Sequence, residues 1–179
     1  MGTIAGMIVA GARRSRGWGD KLLAGVTKEN YARKPHLHRD GSPFVIECNH
    51  PAFILGHLGL YPSKVAQVLG LEAAPFMAPA GFEDLFKNGA PCRDDPAGTI
   101  YPKLEAITAQ YTVPYDAIIE RVSTLEDGAF SAPIPDAFER FRANFPSAGG
   151  VAMFLLNNHQ MMHLGQLSTW RRCMGLGPA

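Results

Sequence analysis

The sequence predicts an all-α fold, a four-helix bundle formed as a single domain by residues 1–179. The chain has the length of one domain, and 46% apolar against 18% charged residues is enough to bury a core. Four segments keep a helical period over several turns, and no strand signal is comparable to them. A long connection after the second helix can cross the bundle before the third begins.

The first two predicted helices differ in how clearly the sequence marks their ends. The first covers residues 3–24, and the polar stretch 27–42 after it is typical of a loop. The second starts at Pro51, with Asn49 or His50 as its cap, because proline lacks the N–H that a first helical turn leaves unpaired. It runs to about residue 69.

The second half of the second helix and the connection after it are rich in helix breakers. Pro62 predicts a kink, and Gly70 is suited to end the helix in a left-handed conformation. Residues 71–100 contain four prolines, which is too many for regular structure to persist. We therefore expect these residues to form the crossover between helices 2 and 3.

The remaining helices lie in the last 80 residues. The third is amphipathic, covers residues 102–125 and is interrupted at Pro114. A short helix is predicted from Asp136 to Phe145. The fourth runs from Ser147 to Met174, about 40 Å at 1.5 Å per residue, which matches the height of a bundle.

Three histidines lie on the predicted inner faces of two of these helices. His159 and His163 are one turn apart on the core-facing stripe of the last helix, together with Gln166. His57 points inward from the second helix. The opposite side of the last helix carries polar residues, namely Asn157, Gln160, Ser168, Arg171 and Arg172.

Buried imidazoles are costly without partners, and three of them predict a His₃ metal site with an open position for water or substrate. Each ring would give one nitrogen to the metal and its other N–H to an acceptor. Zinc, nickel, iron and manganese all accept imidazole, so the residues do not select the metal. Hydrogen-bonded core histidines without a metal are the alternative interpretation.

Two motifs in this chain resemble those of the DinB-like superfamily of four-helix-bundle metalloenzymes. They are N-H-P-A-F-I-L-G-H-L, residues 49–58, and H-Q-M-M-H-L-G-Q-L-S-T-W-R-R-C-M-G, residues 159–175. In that superfamily, a histidine in a G-H-L context and an H-x-x-x-H pair hold a divalent metal. The corresponding residues in this chain are His57, His159 and His163.

The resemblance also implies a fold and a chemistry. It implies an up-down-down-up bundle, often a homodimer, and metal-assisted S-transfer or isomerisation with a low-molecular-weight thiol. A metal-assisted hydrolase-like activity on a small-molecule substrate is a further form of the same hypothesis. The rival hypothesis is a non-catalytic dimeric metal-binding or interaction protein, whose His₃ site is structural or vestigial.

One position argues against a metalloprotease. Zincins carry a glutamate after the first histidine as the general base, and here that position is Gln160, which cannot accept a proton. Gln166 could either hydrogen-bond a water at the open coordination position or pack in the core.

Several other residues have both a functional and a structural interpretation. Cys48 is either a reactive thiol or a small buried residue, and His50 is either a further ligand or part of the helix start. His36 and His38 are either an H-x-H ligand pair or part of a solvated loop. Three aromatic residues either line a pocket or pack in the core, namely Trp170, Tyr61 and Phe53. Arg171 and Arg172 either complement the helix dipole or bind an anion.

Composition excludes several function classes. A net charge of +1 without a basic cluster argues against nucleic acid and anionic membranes as partners. Three scattered cysteines argue against a disulfide framework, and basic residues that follow the first apolar run are opposite to a secretory signal. We therefore expect a cytoplasmic protein. Apolar residues behind the histidines are covered either by a neighbouring helix or by a dimer partner, namely Met153, Phe154, Met161 and Leu164.

Overall fold

The computed structural model describes residues 2–179, with the backbone only at residue 39. It is mostly helical, with 56% of residues in helices and 4% in strands. The eight α-helices are α1 Thr3–Leu22, α2 Pro51–Leu58, α3 Tyr61–Val68, α4 Phe82–Phe86, α5 Leu104–Ser123, α6 Asp127–Phe130, α7 Ala148–Met153 and α8 His159–Cys173. None of the helices within residues 2–179 combines the length and apolar character needed to cross a membrane.

The long helical segments pack around a continuous cluster of buried apolar side chains. Helix α1 contacts α5 and α8, while α2 and α3 contact α5 and the last helical segment, residues 148–173, which comprises α7, α8 and the turn between them. The start of α1 meets the residues just after α5, where the Asp127 carboxylate accepts the backbone N–H groups of Thr3 and Ile4. Helices α1 and α5 are therefore antiparallel.

The second predicted helix forms as two helices. Helix α2 ends at Leu58, and α3 begins at Tyr61 with Pro62 in its first turn. The proline has no N–H to donate to the carbonyl of Leu58, and its ring excludes that carbonyl. The kink predicted at Pro62 is therefore a break three residues earlier. Gly70 ends the segment with a φ of 68°, as predicted.

A β-hairpin replaces part of the loop predicted over residues 27–42, while the fold as a whole is mostly helical, as predicted. Strand β1, His36–Arg39, pairs antiparallel with strand β2, Ser42–Val45, where a loop was predicted. The connecting Asp40 and Gly41 have φ values of 51° and 80°. Positive φ at both residues is typical of the Asp-Gly turn in hairpins with a two-residue loop. The Asp-Gly dipeptide was the only sequence signal for this hairpin. The residues around it are largely polar and lack the apolar alternation that marks a strand.

The connection of residues 71–100 is largely irregular, as predicted. It contains one 3₁₀ turn, Ala74–Phe76, and the short helix α4, which the sequence analysis did not predict. Helix α5 runs through Pro114 without the predicted interruption. Tyr111, Tyr115 and Ile118, which precede and follow this proline along the helix, are fully buried. Tertiary packing of such an apolar face supports a helix that has lost one hydrogen bond.

The segment between α5 and the last helix is less regular than predicted. Helix α6 follows α5 closely, and the short helix predicted over residues 136–145 is a 3₁₀ helix, Asp136–Phe141. Phe138 departs from helical geometry with a φ of −118°. This segment contributes Arg140 and Phe141 to the surface near the histidines.

The last helical segment has the predicted extent and an additional feature. The Ser147 hydroxyl accepts the Gly150 N–H at its start, and Gly175 follows its end with a φ of 75°. Between α7 and α8 the chain forms a π-helical turn, Phe154–Asn158, which ends immediately before His159. Such wide turns occur frequently at functional sites.

Two residues predicted on the polar side of this helix are buried instead. Gln160 is fully buried, and its amide donates to the Tyr111 hydroxyl on α5. Arg171 is also buried and donates to the carbonyls of Leu22 and Ala24 after α1. The segment contacts several neighbours, so its buried surface is wider than the single stripe assumed in the prediction.

Candidate metal centre

The three predicted histidines lie together in the interior. His57, His159 and His163 are each at most 8% exposed. The Nε2 atom of His159 lies 3.4 Å from Nε2 of His57 and 3.1 Å from Nε2 of His163. One ligand nitrogen from each ring falls within 4.8 Å of the other two, so the three residues could hold a metal ion.

A carbonyl from the connection fixes the orientation of His57. Its Nδ1 lies 2.7 Å from the carbonyl oxygen of Phe86, the last residue of α4. A carbonyl only accepts, so Nδ1 carries the proton and Nε2 keeps its lone pair toward the other histidines. Phe86 packs close to α2 because Gly56 has no side chain, and a Cβ there would lie 2.5 Å from the Phe86 ring.

Gln166 orients His163 in the same way. Its Oε1 atom lies 3.1 Å from Nδ1 of His163 and also accepts from the Asn49 amide at 3.1 Å. Because the Asn49 amide donates to this Gln166 atom, the atom is the side-chain oxygen, and it accepts the proton of His163 Nδ1 as well. Gln166 therefore orients a candidate ligand, a role different from both of those considered from the sequence.

His159 lies between the other two rings and has one unpaired nitrogen. Its ring centroid lies 4.2 Å from that of Tyr61 and 5.8 Å from that of Phe154. Its buried Nδ1 has no hydrogen-bond partner within residues 2–179. His159 is thus held by aromatic packing.

The environment keeps all three imidazoles neutral. Burial, reinforced by the neighbouring imidazoles, lowers the pKa of His159 to about 3. Burial and the proximity of His57 lower the pKa of His163 to about 4. Burial also lowers the pKa of His57, although the Phe86 carbonyl opposes the shift. Neutral imidazole is the form that binds metals.

The separations of the Nε2 atoms fit a metal ion. Nitrogen ligands about 2.0–2.1 Å from a tetrahedral zinc ion lie roughly 3.3 Å apart, close to the observed 3.1 and 3.4 Å. The Nε2 atoms of His57 and His163 both present lone pairs, and His159 can donate a proton to only one of them. A shared cation would satisfy every nitrogen that faces the centre.

A cavity of about 410 Å³ adjoins the three histidines. Its walls include Phe53, Tyr61 and Phe141, together with the basic side chains of Lys87 and Arg140. A His₃ site beside a cavity leaves a coordination position open, which is the arrangement of catalytic rather than structural zinc sites. No residue that lines the cavity, within the part of the chain described, carries a carboxylate.

Of the aromatic and basic candidates, the structure separates those at the site from those in the core. Phe53 and Tyr61 line the cavity, whereas Trp170 is fully buried and donates to the Arg33 carbonyl. Arg171 stabilises carbonyls near the end of α1, and Arg172 is exposed. Neither of these two arginines lines the cavity.

The remaining candidates lie outside the histidine cluster. His50 caps α2, because its Nδ1 accepts the Phe53 N–H while its Nε2 lies 2.8 Å from the Arg93 carbonyl oxygen. Cys48 is partly buried, and desolvation raises the pKa of its thiol, which opposes reactivity. His36 and His38 are exposed on β1, and His36 lies 3.0 Å from an Asp94 oxygen.

Sequence reasoning missed several residues around the site. Phe86, Lys87, Arg140 and Phe141 come from irregular or short segments that carry no periodic pattern. The amide of Gln160 is hydrogen-bonded to Tyr111 on α5, which the sequence did not predict. Gly56, beside His57 in the sequence, was the one available hint of a close approach to α2.

Fold and site together define a helical protein with a buried three-histidine cluster that could hold a metal. The model of the DinB superfamily matches residues 13–167, which include all three histidines. The chain therefore belongs to the DinB superfamily, as the two motifs suggested. No curated protein matches the chain, so the family assignment rests on this match.

Substituting Gly56 with alanine tests the close packing behind His57. The new methyl group would meet the buried Phe86 ring, so we expect Gly56→Ala to lower the free energy of unfolding by about 1–3 kcal/mol. Gly165→Ala is the matched control, because that helical site has no atom within 4 Å and alanine favours a helix by about 0.5–1 kcal/mol. Urea unfolding measures both. Equal effects of the two substitutions would contradict the packing described.

Proposed function

We propose that His57, His159 and His163 together bind one divalent metal and that the protein is a metal-dependent enzyme of the DinB superfamily. The convergence of three neutral Nε2 atoms beside a cavity carries this proposal. The carbonyl of Phe86 and the amide of Gln166 support it, because they hold two of the rings with their lone pairs toward the centre.

The bound cation would supply Lewis acidity, which stabilises the deprotonated form of a thiol or of water. Zinc, nickel, iron and manganese are all compatible with three imidazoles. The side chains of this protein would position the metal, hold the substrate in the cavity and exclude bulk water from its inner end. Phe53 and Tyr61 provide the apolar walls that would exclude bulk water.

The family resemblance favours S-transfer with a low-molecular-weight thiol over hydrolysis, and the cavity lining is compatible with it. A metal-bound water can ionise near pH 7, but a hydrolase that also relies on a general base needs a side chain that accepts a proton at neutral pH. No carboxylate lines the cavity within residues 2–179, and burial raises the pKa of the Tyr61 hydroxyl. A thiol has a much lower pKa than water, so metal coordination can activate it without a separate base.

We also propose a single-domain bundle with up-down-down-up topology that forms a homodimer. The antiparallel contacts of α1 with α5 support the topology, as does the hydrogen bond from Asn49, just before α2, to Gln166 on α8. Met153 and Met161 are 46% and 44% exposed, which supports a dimer surface on the last helical segment. Leu164, which was expected to be covered either by a neighbouring helix or by a dimer partner, is fully buried within the chain.

Metal analysis tests the binding site. The purified protein, reloaded with zinc, should hold close to one ion per chain, and His159→Ala should hold much less because two imidazoles remain. His38→Ala is the matched control, since that histidine is exposed on β1. A wild-type protein that cannot be loaded, or a His159→Ala variant that retains full occupancy, would contradict the site.

Turnover with thiols tests whether the site is catalytic. Zinc-loaded protein should accelerate the reaction of cysteine, glutathione or another low-molecular-weight thiol with 1-chloro-2,4-dinitrobenzene. The acceleration should disappear in His163→Ala and after chelation, and it should persist in His38→Ala. Full zinc occupancy without turnover across a broad panel of thiols and electrophiles would favour the rival, a non-catalytic metal-binding protein.

A further inference from the structure

We propose that the cavity beside the histidines binds a small organic oxyanion, whose charged group is held by Arg140 and Lys87 at the cavity wall. This inference rests on the proposed function, because it names the substrate class of the same site. It follows from the distribution of charge around the three histidines, from the position of Arg140 and from the aromatic walls of the cavity.

The charge balance of the loaded site favours an anionic ligand. Three neutral imidazoles leave both positive charges of a divalent cation uncompensated, and a buried charge is costly unless it is paired. No carboxylate lines the cavity within residues 2–179. The negative charge of Glu83 acts on His57, but this carboxylate is paired with Lys64. A molecule that enters the cavity can supply the remaining negative charge through its activated group, through a second anionic group or through both.

Arg140 is available to pair with that second group. Its guanidinium carbon lies 5.0 Å from the centroid of the Phe141 ring, a cation–π arrangement at the cavity wall. No ion pair links this guanidinium to an acidic side chain in the described part of the chain. By contrast, nearby Arg142 pairs with Asp136 and with the Ile134 carbonyl. A planar guanidinium without a partner is suited to bind a carboxylate or phosphoryl group through two hydrogen bonds.

Lys87 adds a second positive charge to the same wall. Its ammonium lies 3.4 Å from the Asp84 carboxylate, which is itself 84% exposed and therefore well solvated. This exposed pair is weak and can rearrange when an anion enters. We expect Lys87 to contribute less than Arg140 to anion binding, because its charge is already paired with Asp84.

The remaining walls describe the body of the ligand. Phe53, Tyr61 and Phe141 give the cavity aromatic surfaces, and its volume of about 410 Å³ suits a small molecule. An apolar body with one oxyanion would satisfy both the aromatic walls and the basic pair. Carboxylates and phosphoryl groups share this chemistry, and two probes distinguish them.

Binding of small aromatic probes to the zinc-loaded protein tests the inference by calorimetry, without any turnover. Benzoate and phenylphosphonate represent the two oxyanions, and benzamide is the neutral control of nearly the same shape. At least one anion should bind about tenfold more tightly than benzamide, and the difference should shrink in high salt. Benzamide binding as tightly as both anions would overturn the inference.

Two variants locate the oxyanion within the cavity. Arg140→Gln should weaken binding of the preferred anion about five- to tenfold, and Lys87→Gln about two- to threefold, with benzamide binding unchanged. Arg121→Gln is the matched control, because that exposed arginine does not line the cavity. Unchanged anion affinity in both cavity variants would overturn the assignment, since the anion would then contact only the metal.

The zinc content of every sample keeps the two proposals separate. A protein that holds no zinc contradicts the proposed metal site. A protein with one zinc per chain that does not prefer either anion over benzamide contradicts only the oxyanion inference.

Discussion

The mutual approach of three uncharged imidazoles is the interaction on which the site depends. Their Nε2 atoms face one another at 3.1 and 3.4 Å in an interior where protonation is disfavoured. Lone pairs at such separations repel each other unless a proton or a cation lies between them. The surrounding structure keeps them in place, through the Phe86 carbonyl on one side and the Gln166 amide on the other.

The arrangement of the helices explains why this cluster can form. His57 comes from α2, and the other two histidines begin and continue α8, which follows a π-helical turn. The break between α2 and α3 ends the helix one residue after His57. The connections between the long helices contribute the Phe86 carbonyl, Lys87 and Arg140. The long helical segments thus supply the candidate ligands and Gln166, while the connections supply the Phe86 carbonyl and the charges of the cavity wall.

The parts of this account that depend on periodicity could be predicted from the sequence. Inward-facing histidines at i and i+4, the cap of α2 and the end at Gly70 all follow from local rules. The β-hairpin was missed because only its Asp-Gly turn marked it, between polar strands. The burial of Gln160 and Arg171 was missed because a helical wheel assumes one buried face and cannot represent several neighbours or a π-helical turn. Arg140 and Lys87 could not be placed, because their approach to the site depends on tertiary packing of segments without a repeating pattern.

X-ray absorption spectroscopy of the zinc-loaded protein tests the three-histidine site, because it observes the atoms bound to the metal. We expect a four-coordinate ion with three nitrogen ligands at about 2.0–2.1 Å, each with the outer scattering of an imidazole ring. Two or fewer imidazoles, or a sulfur ligand at about 2.3 Å, would contradict it.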